Sequence, residues 1–129
     1  MQLENDPAIS DNARLWRRIH PLWYQVDAVP GKRRLTSAAF DDSPDRSPMS
    51  VVLADHPDAP QSDAECLSLF AGYGLAELSA GSARRQNQRV AHTPTRDEPA
   101  HGSVIGKKTK SVKNALRDYA VLLIEPIAR

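Results

Sequence analysis

Cysteine is almost absent. Cys66 stands alone in 129 residues, which excludes an internal disulfide framework and any multi-thiolate metal site. No apolar run approaches the roughly 18 residues of a membrane-spanning helix. Aromatic residues are scarce: 2 Trp, 3 Tyr and 2 Phe, so each is needed by a core or by a site. Neither sign of charge dominates. Lys plus Arg is 17 and Asp plus Glu is 16, a net charge of +1. That balance argues against a surface that is wholly a nucleic-acid footprint. The opening stretch, Met1 to Asp11, is polar and acidic, unlike a secretory signal. The expectation is a cytoplasmic protein with no membrane partner.

The length allows one domain. Residues 1–12 read as a flexible N-terminal tail, and residues 13–129 as a single domain. Leu22–Val29 and Met49–Ala54 are rich in strand formers. Pro30-Gly31 marks a turn. Ala13–Ile19 suits a strand or a helical turn, and Ala100–Ile105 a short strand. Leu75–Arg84 is a possible strand that contains Gly81. Arg85–Glu98 is polar and reads as a loop. Ser62 with Glu65 forms a capping box, which predicts a helix to Phe70. Val112, Ala115, Leu116 and Tyr119 recur at helical spacing, which predicts a second helix over Ser111–Leu122; Val121–Ile124 suits a final strand equally well. The expected class is α+β: a small twisted sheet or half-barrel of four to five short strands with two helices.

Charge is unevenly spread. Arg14 to Arg34 holds six basic residues against Asp27, and Asp41 to Glu65 holds seven acids against Arg46. Lys107 to Lys113 holds four lysines and no acid. These blocks either pair with one another or give the molecule a basic face.

Candidate binding residues follow from the basic blocks: Arg17, Arg18, Arg33, Arg34, Lys107 and Lys108. Guanidinium forks suit phosphate or carboxylate. Arg33 and Arg34 stand close to Thr36 and Ser37, although they could instead pair with Asp41 and Asp42. The Gly106–Lys110 run lies between a strand and a helix, where free N–H groups favour an anion. It lacks the spacing and the hydroxyl of a Walker loop. His101 and Ser37 are the candidates for acid–base chemistry near neutral pH. No histidine pair has the i, i+4 spacing of a metalloprotease and no G-x-S-x-G is present, so neither a metal nor a cofactor is expected. Trp16 and Trp23, set among arginines, resemble a base-stacking mixture.

The segments RLWRRIHPLWYQVD, RRLTSAAFDD, SPMSVVLA and DEPAHGSVIGKKTK resemble a family of small bacterial proteins without an established activity. Its pattern has a Trp-Arg-Arg opening, Arg-x-Ser-Ser-x-x-Phe, a Ser-Val strand and Asn-Pro-Ala-His. The resemblance spans Arg14 to Lys110 and departs from the pattern at Thr36 and Glu98. It implies weight for Arg17, Arg18, Arg34, Ser37, Phe40, His101 and Gly106. A more distant analogy is to NAD-using ADP-ribosyltransferase-like domains, for which Glu125 would be the only late acid.

Three functions are expected from these features. The first is an accessory or interaction domain whose basic segments meet an acidic partner, most simply a protein. The second is a small enzyme or sensor for a phosphate-bearing ligand, nucleotide or NAD-like. The third is a nucleic-acid binder.

Overall fold

Alternation decides the central strand. In Arg14–Ile19 (β1), Leu15 and Ile19 turn to one face and Trp16 to the other, the period of two that a pleated strand imposes. Met49–Leu53 (β4) repeats the pattern. Met49, Val51 and Leu53 join Leu15 in one core, and Val52 joins Trp16 in a second. The computed structural model describes residues 4–26 and 33–127. The Pro30-Gly31 turn and Lys32 lie outside them, and the Arg33 side chain is likewise not described.

In chain order the remaining strands are β2 (Tyr24–Val26), β3 (Arg33–Leu35), β5 (Gly74–Ser79), β6 (Arg89–His92), β7 (His101–Ile105) and β8 (Val121–Ile124). The helices are α1 (Asp63–Cys66), α2 (Ala80–Arg84) and α3 (Lys110–Tyr119), with 3-10 turns at Pro21–Trp23 and Ser37–Phe40. Six strands form one open antiparallel sheet in the order β6-β7-β4-β1-β5-β8. β2 and β3 form a separate two-stranded ribbon. Among the described residues no helix is long and apolar enough to cross a membrane.

The class is α+β, but among the described residues the sheet has six strands rather than four or five, and three α-helices stand where two were expected. The additional strand β6 lies inside the polar stretch 85–98. Only Val90 and Ala91 of its four residues are buried, too short an alternation to stand out. The strand expected over Leu75–Arg84 stops at Ser79, whose Oγ accepts from the Ser82 N–H at 3.1 Å and so starts α2.

The helix expected from Ser62 to Phe70 is a single turn. Its cap is present: Ser62 Oγ accepts from the Glu65 N–H at 3.1 Å, while Glu65 Oε2 accepts from the Gln61 N–H at 3.2 Å. Continuation would need the Cys66 carbonyl to receive the N–H of residue 70. That N–H instead donates to Leu67 O, and the Cys66 carbonyl accepts from Arg18 Nε at 2.9 Å. The α pattern has already lapsed by then, since the Leu67 N–H donates to Ala64 O and the Ser68 N–H to Glu65 O, and the Arg18 side chain takes the Cys66 carbonyl left over. α3 ends at Tyr119, and Val121–Ile124 forms the final strand rather than a helical end.

The larger core lies between one sheet face and α3, α2 and the Ser37–Phe40 turn, centred on Phe40, Leu15, Met49, Val104 and Leu116. The smaller core on the other face holds Trp16, Val52, Cys66, Leu75 and Ala100. Residues 4–12, within the stretch read as a tail, make specific contacts. Asp6 N–H donates to Val90 O at 2.8 Å, and Asn5 Oδ1 accepts from the Val90 N–H and from Arg84 Nε. They thereby cover the outer edge of β6.

Gly106 ends β7 with φ of +150°, and a Cβ there would lie 2.8 Å from Gln88 Oε1. Gln88 is buried, and its Nε2 donates to the carbonyls of Gln86 and Lys107. Gly106→Ala combines a strained backbone with displacement of a bonded side chain, so a loss of about 2 kcal/mol is expected. Urea denaturation measures it, and an unchanged midpoint would show that the Gln88 network yields freely.

Candidate functional site

The sheet has a gap near its middle. β1 and β4 are laddered only at Leu15–Leu53 and Trp16–Val52. On its other side β1 stays paired with β5 as far as Ile19–Gly74, and β4 is paired with β7 from Met49–Val104 onward. Past Trp16, therefore, β1 and β4 part company, and backbone groups on the facing edges need other partners.

The Arg17 side chain supplies one, at Ser50 O. Arg17 donates from Nη1 to Ser50 O and from Nε to Ala39 O, both at 2.8 Å. Asp42 Oδ1 accepts from the Met49 N–H at 3.1 Å. The Arg17 guanidinium also lies 5.2 Å from the Trp23 ring centroid. Burial pulls its pKa down to about 10, against the raising influence of Asp41 and Asp42, so it remains charged at neutral pH. Its Nη2 has no hydrogen-bond partner among the described residues.

The gap opens into a cleft of about 280 Å³. Arg18 lies in its wall, 4.1 Å from the Phe70 ring centroid, and grips Glu98 at 2.9 and 3.3 Å. Trp23, Tyr73 and Phe70 supply aromatic walls. Phe70 contacts Tyr73 at 5.4 Å, Tyr73 contacts His20 at 5.3 Å, and His20 contacts Trp23 at 5.8 Å. The rings thus form an arc whose two ends each carry an arginine.

His101 lines the opposite wall. Its Nδ1 lies 2.8 Å from Thr93 O and 3.0 Å from Thr93 Oγ1. A carbonyl oxygen can only accept, so Nδ1 carries the proton and Nε2 of the neutral ring keeps the lone pair. Thr93 Oγ1 is in turn 2.7 Å from the buried Ser103 Oγ. The ring orientation and tautomer are therefore both fixed from behind.

No family model, curated protein or solved structure matches this chain. Function has to come from the geometry.

Of the residues singled out by sequence, Arg17, Arg18 and His101 meet in the cleft together with Trp16 and Trp23. Ser37 begins the 3-10 turn behind Arg17 and does not line it. Arg34 is exposed and borders a different depression with Arg117. Lys107 is exposed. Lys108 is not: its side chain is 2% accessible, and Nζ reaches Val104 O, Gly106 O and Asp42 Oδ1 at 2.9, 3.1 and 3.0 Å. Trp16 is buried, and its Nε1 donates to Glu77 Oε1 at 2.9 Å. Much of the uneven charge pairs internally: Arg14 with Asp55, Lys113 with Asp41, and Lys108 with Asp42.

Glu98, Phe70, Tyr73 and Ser50 escaped sequence reasoning. Glu98 carried the one available signal, an acid three residues before His101 in a segment already singled out. Among the described residues no group of three or more metal-ligating side chains is present. A larger hollow of about 500 Å³ lies between residues 6–13 and the ends of β4 and β6. Its imidazoles are tied to backbone, His56 Nδ1 accepting from the Asp58 N–H and His92 Nε2 lying 2.7 Å from Pro99 O. It contains no arginine, and the Asp55 on its wall is already paired with Arg14.

Proposed function

We propose that the cleft between β1 and β4 binds a small phosphate-bearing ligand with a planar ring, of the nucleotide class. One observation carries this: two guanidiniums, each against an aromatic ring, border a single cleft that an oriented imidazole also lines. Arginine forks recognise phosphate oxygens, and the exposed parts of the ring walls give a planar group a stacking surface. The volume lies just below the roughly 300–1,000 Å³ of ordinary ligand pockets. It suits one ring and a small anionic group, with the remainder of a larger molecule in solvent. His101 Nε2 gives the site an acceptor for a hydroxyl or water proton, the requirement of an acid–base enzyme. A sensor would use the same nitrogen to orient its ligand.

Titration with AMP, NAD and ribose 5-phosphate, followed by tryptophan fluorescence and amide NMR, tests this. AMP is expected to quench Trp23 and to shift amides of Arg17, Phe70 and His101. Trp23→Ala should weaken AMP by about tenfold, in line with roughly 1–3 kcal/mol per stacked ring. Unmoved amides at every nucleotide concentration would sink the proposal.

The second possibility, a basic surface that meets an acidic protein or nucleic acid, draws support from the exposed Lys107 and Lys110 at the start of α3. Steep salt dependence of binding, with shifts confined to those lysines, would favour it.

A further inference from the structure

We infer that Glu98 is an internal stand-in for the anionic group of the ligand, holding the Arg18 fork until a phosphate displaces it. The inference rests on the nucleotide-class reading of the cleft and deepens it.

The Arg18–Glu98 pair is bidentate, at 2.9 and 3.3 Å, the geometry by which arginine takes a free carboxylate or phosphate. Both side chains line the cleft, and they are 20% and 24% accessible, so water and solutes reach the pair. Arg18 does not depend on Glu98 for its place. Nε is fixed to the Cys66 carbonyl and the guanidinium rests on Phe70. Removing the carboxylate would leave the fork aimed into the cleft.

Glu98 stands between the exposed residues 95–97 and the anchored Pro99 and Ala100, whose carbonyls meet His92 Nε2 and the Leu53 N–H. Its backbone bonds with Thr95 are short-range, and its carbonyl accepts from the His101 N–H at 3.1 Å. Thr95, Arg96 and Asp97 are exposed. A displaced Glu98 carboxylate therefore turns toward the exposed residues 95–97, while Pro99 and Ala100 stay anchored. His101 stays anchored through Thr93, on β7.

Charge favours the exchange. Within the cleft the Arg18 fork holds the carboxylate of Glu98. The neighbouring Asp41 and Asp42 are paired with Lys113 and Lys108. A phosphate monoester carries more charge than a carboxylate and offers three acceptor oxygens, so it competes for the Arg18 fork on better terms. The carboxylate sets a threshold. Weak monoanions fail to displace it, whereas a phosphate succeeds.

The experiment compares AMP affinity of the wild-type protein, Glu98→Gln and Glu98→Ala by calorimetry. Hydrogen exchange of residues 95–98 is followed in the wild type with and without AMP. Both variants are expected to bind AMP about tenfold more tightly, the effect of removing a competing ion pair. In the wild type, AMP should accelerate exchange at residues 95–98 while protecting Arg17 and Arg18. Equal or weaker binding by folded variants, alongside clear wild-type binding, overturns the inference and leaves the ligand reading intact. Absence of AMP binding by all three proteins overturns both. Binding by the variants alone supports both. If the variants do not fold, the wild-type exchange pattern decides, and protection of residues 95–98 by AMP overturns the stand-in.

Discussion

Arg17→Met is expected to loosen the fold by about 3 kcal/mol and to abolish AMP binding. The carbonyls of Ser50 and Ala39 both lose their donor, and each partly buried acceptor left alone costs about 1–3 kcal/mol. The methionine stem keeps most of the packing against Trp23, so the loss reports on the guanidinium. Arg17→Lys should rescue little, because one ammonium cannot reproduce the planar fork that spans two carbonyls. Urea denaturation of the two variants measures the first effect and calorimetry the second. A shift below about 0.5 kcal/mol, within the ordinary range for a surface change, would mean that water replaces the fork and the gap between β1 and β4 needs no arginine.

Lys108→Met should be as damaging without touching the cleft. The ammonium is enclosed and joins the end of β7 to Asp42, which also holds the Met49 N–H. Breaking a buried ion pair from one side costs about 3–5 kcal/mol. Asp42 is one-third accessible, which places the expectation near 3 kcal/mol on that scale. The pH dependence carries a further signature. Burial pushes the Lys108 pKa below its ordinary 10.5, and the pair with Asp42 only partly opposes it. Between that lowered value and 10.5 the unfolded chain binds more protons than the folded one, so this residue makes stability rise with pH there. The wild type should show that alkaline contribution and Lys108→Met should lack it. Identical alkaline slopes would place the ammonium in contact with water.

The strands that form the two cores were legible because they are short apolar runs of strand formers bounded by turn residues. MSVVLA and HGSVI are buried almost throughout, as strands covered on both faces are. β6 was not legible, since its flanking Arg89 and His92 mask two buried residues. The short extent of α1 was not legible either, because the chain tightens into three-residue turns at Leu67 and Ser68 and the Cys66 carbonyl bonds a side chain 48 positions earlier. The same limit governs the site. Arg17, Arg18 and His101 stood out as residue types, but their convergence depends on pairings between β1, β4 and β7 that no local pattern encodes. Lys108 illustrates the converse. It looked like a solvated or anion-binding lysine because its neighbours are polar, yet two nearby carbonyls and the distant Asp42 carboxylate enclose it. Phe70 and Tyr73 carried no mark of a site in the sequence, and partial exposure on the cleft wall is a property of the fold alone.

The two ladder rungs that join β1 to β4 set the mechanical character of the whole sheet. Three strands on one side and three on the other are paired over longer stretches than β1 with β4, so the sheet is weakest in backbone bonds along that line. Bending is cheapest along that line and grows with distance from Leu15 and Trp16. A ligand that bridges the two sides would act as a rivet, converting a small binding energy into rigidity of the entire molecule. Occupancy of the cleft would thereby be felt at β6 and β8, the two outer strands, without any residue between them changing its neighbours.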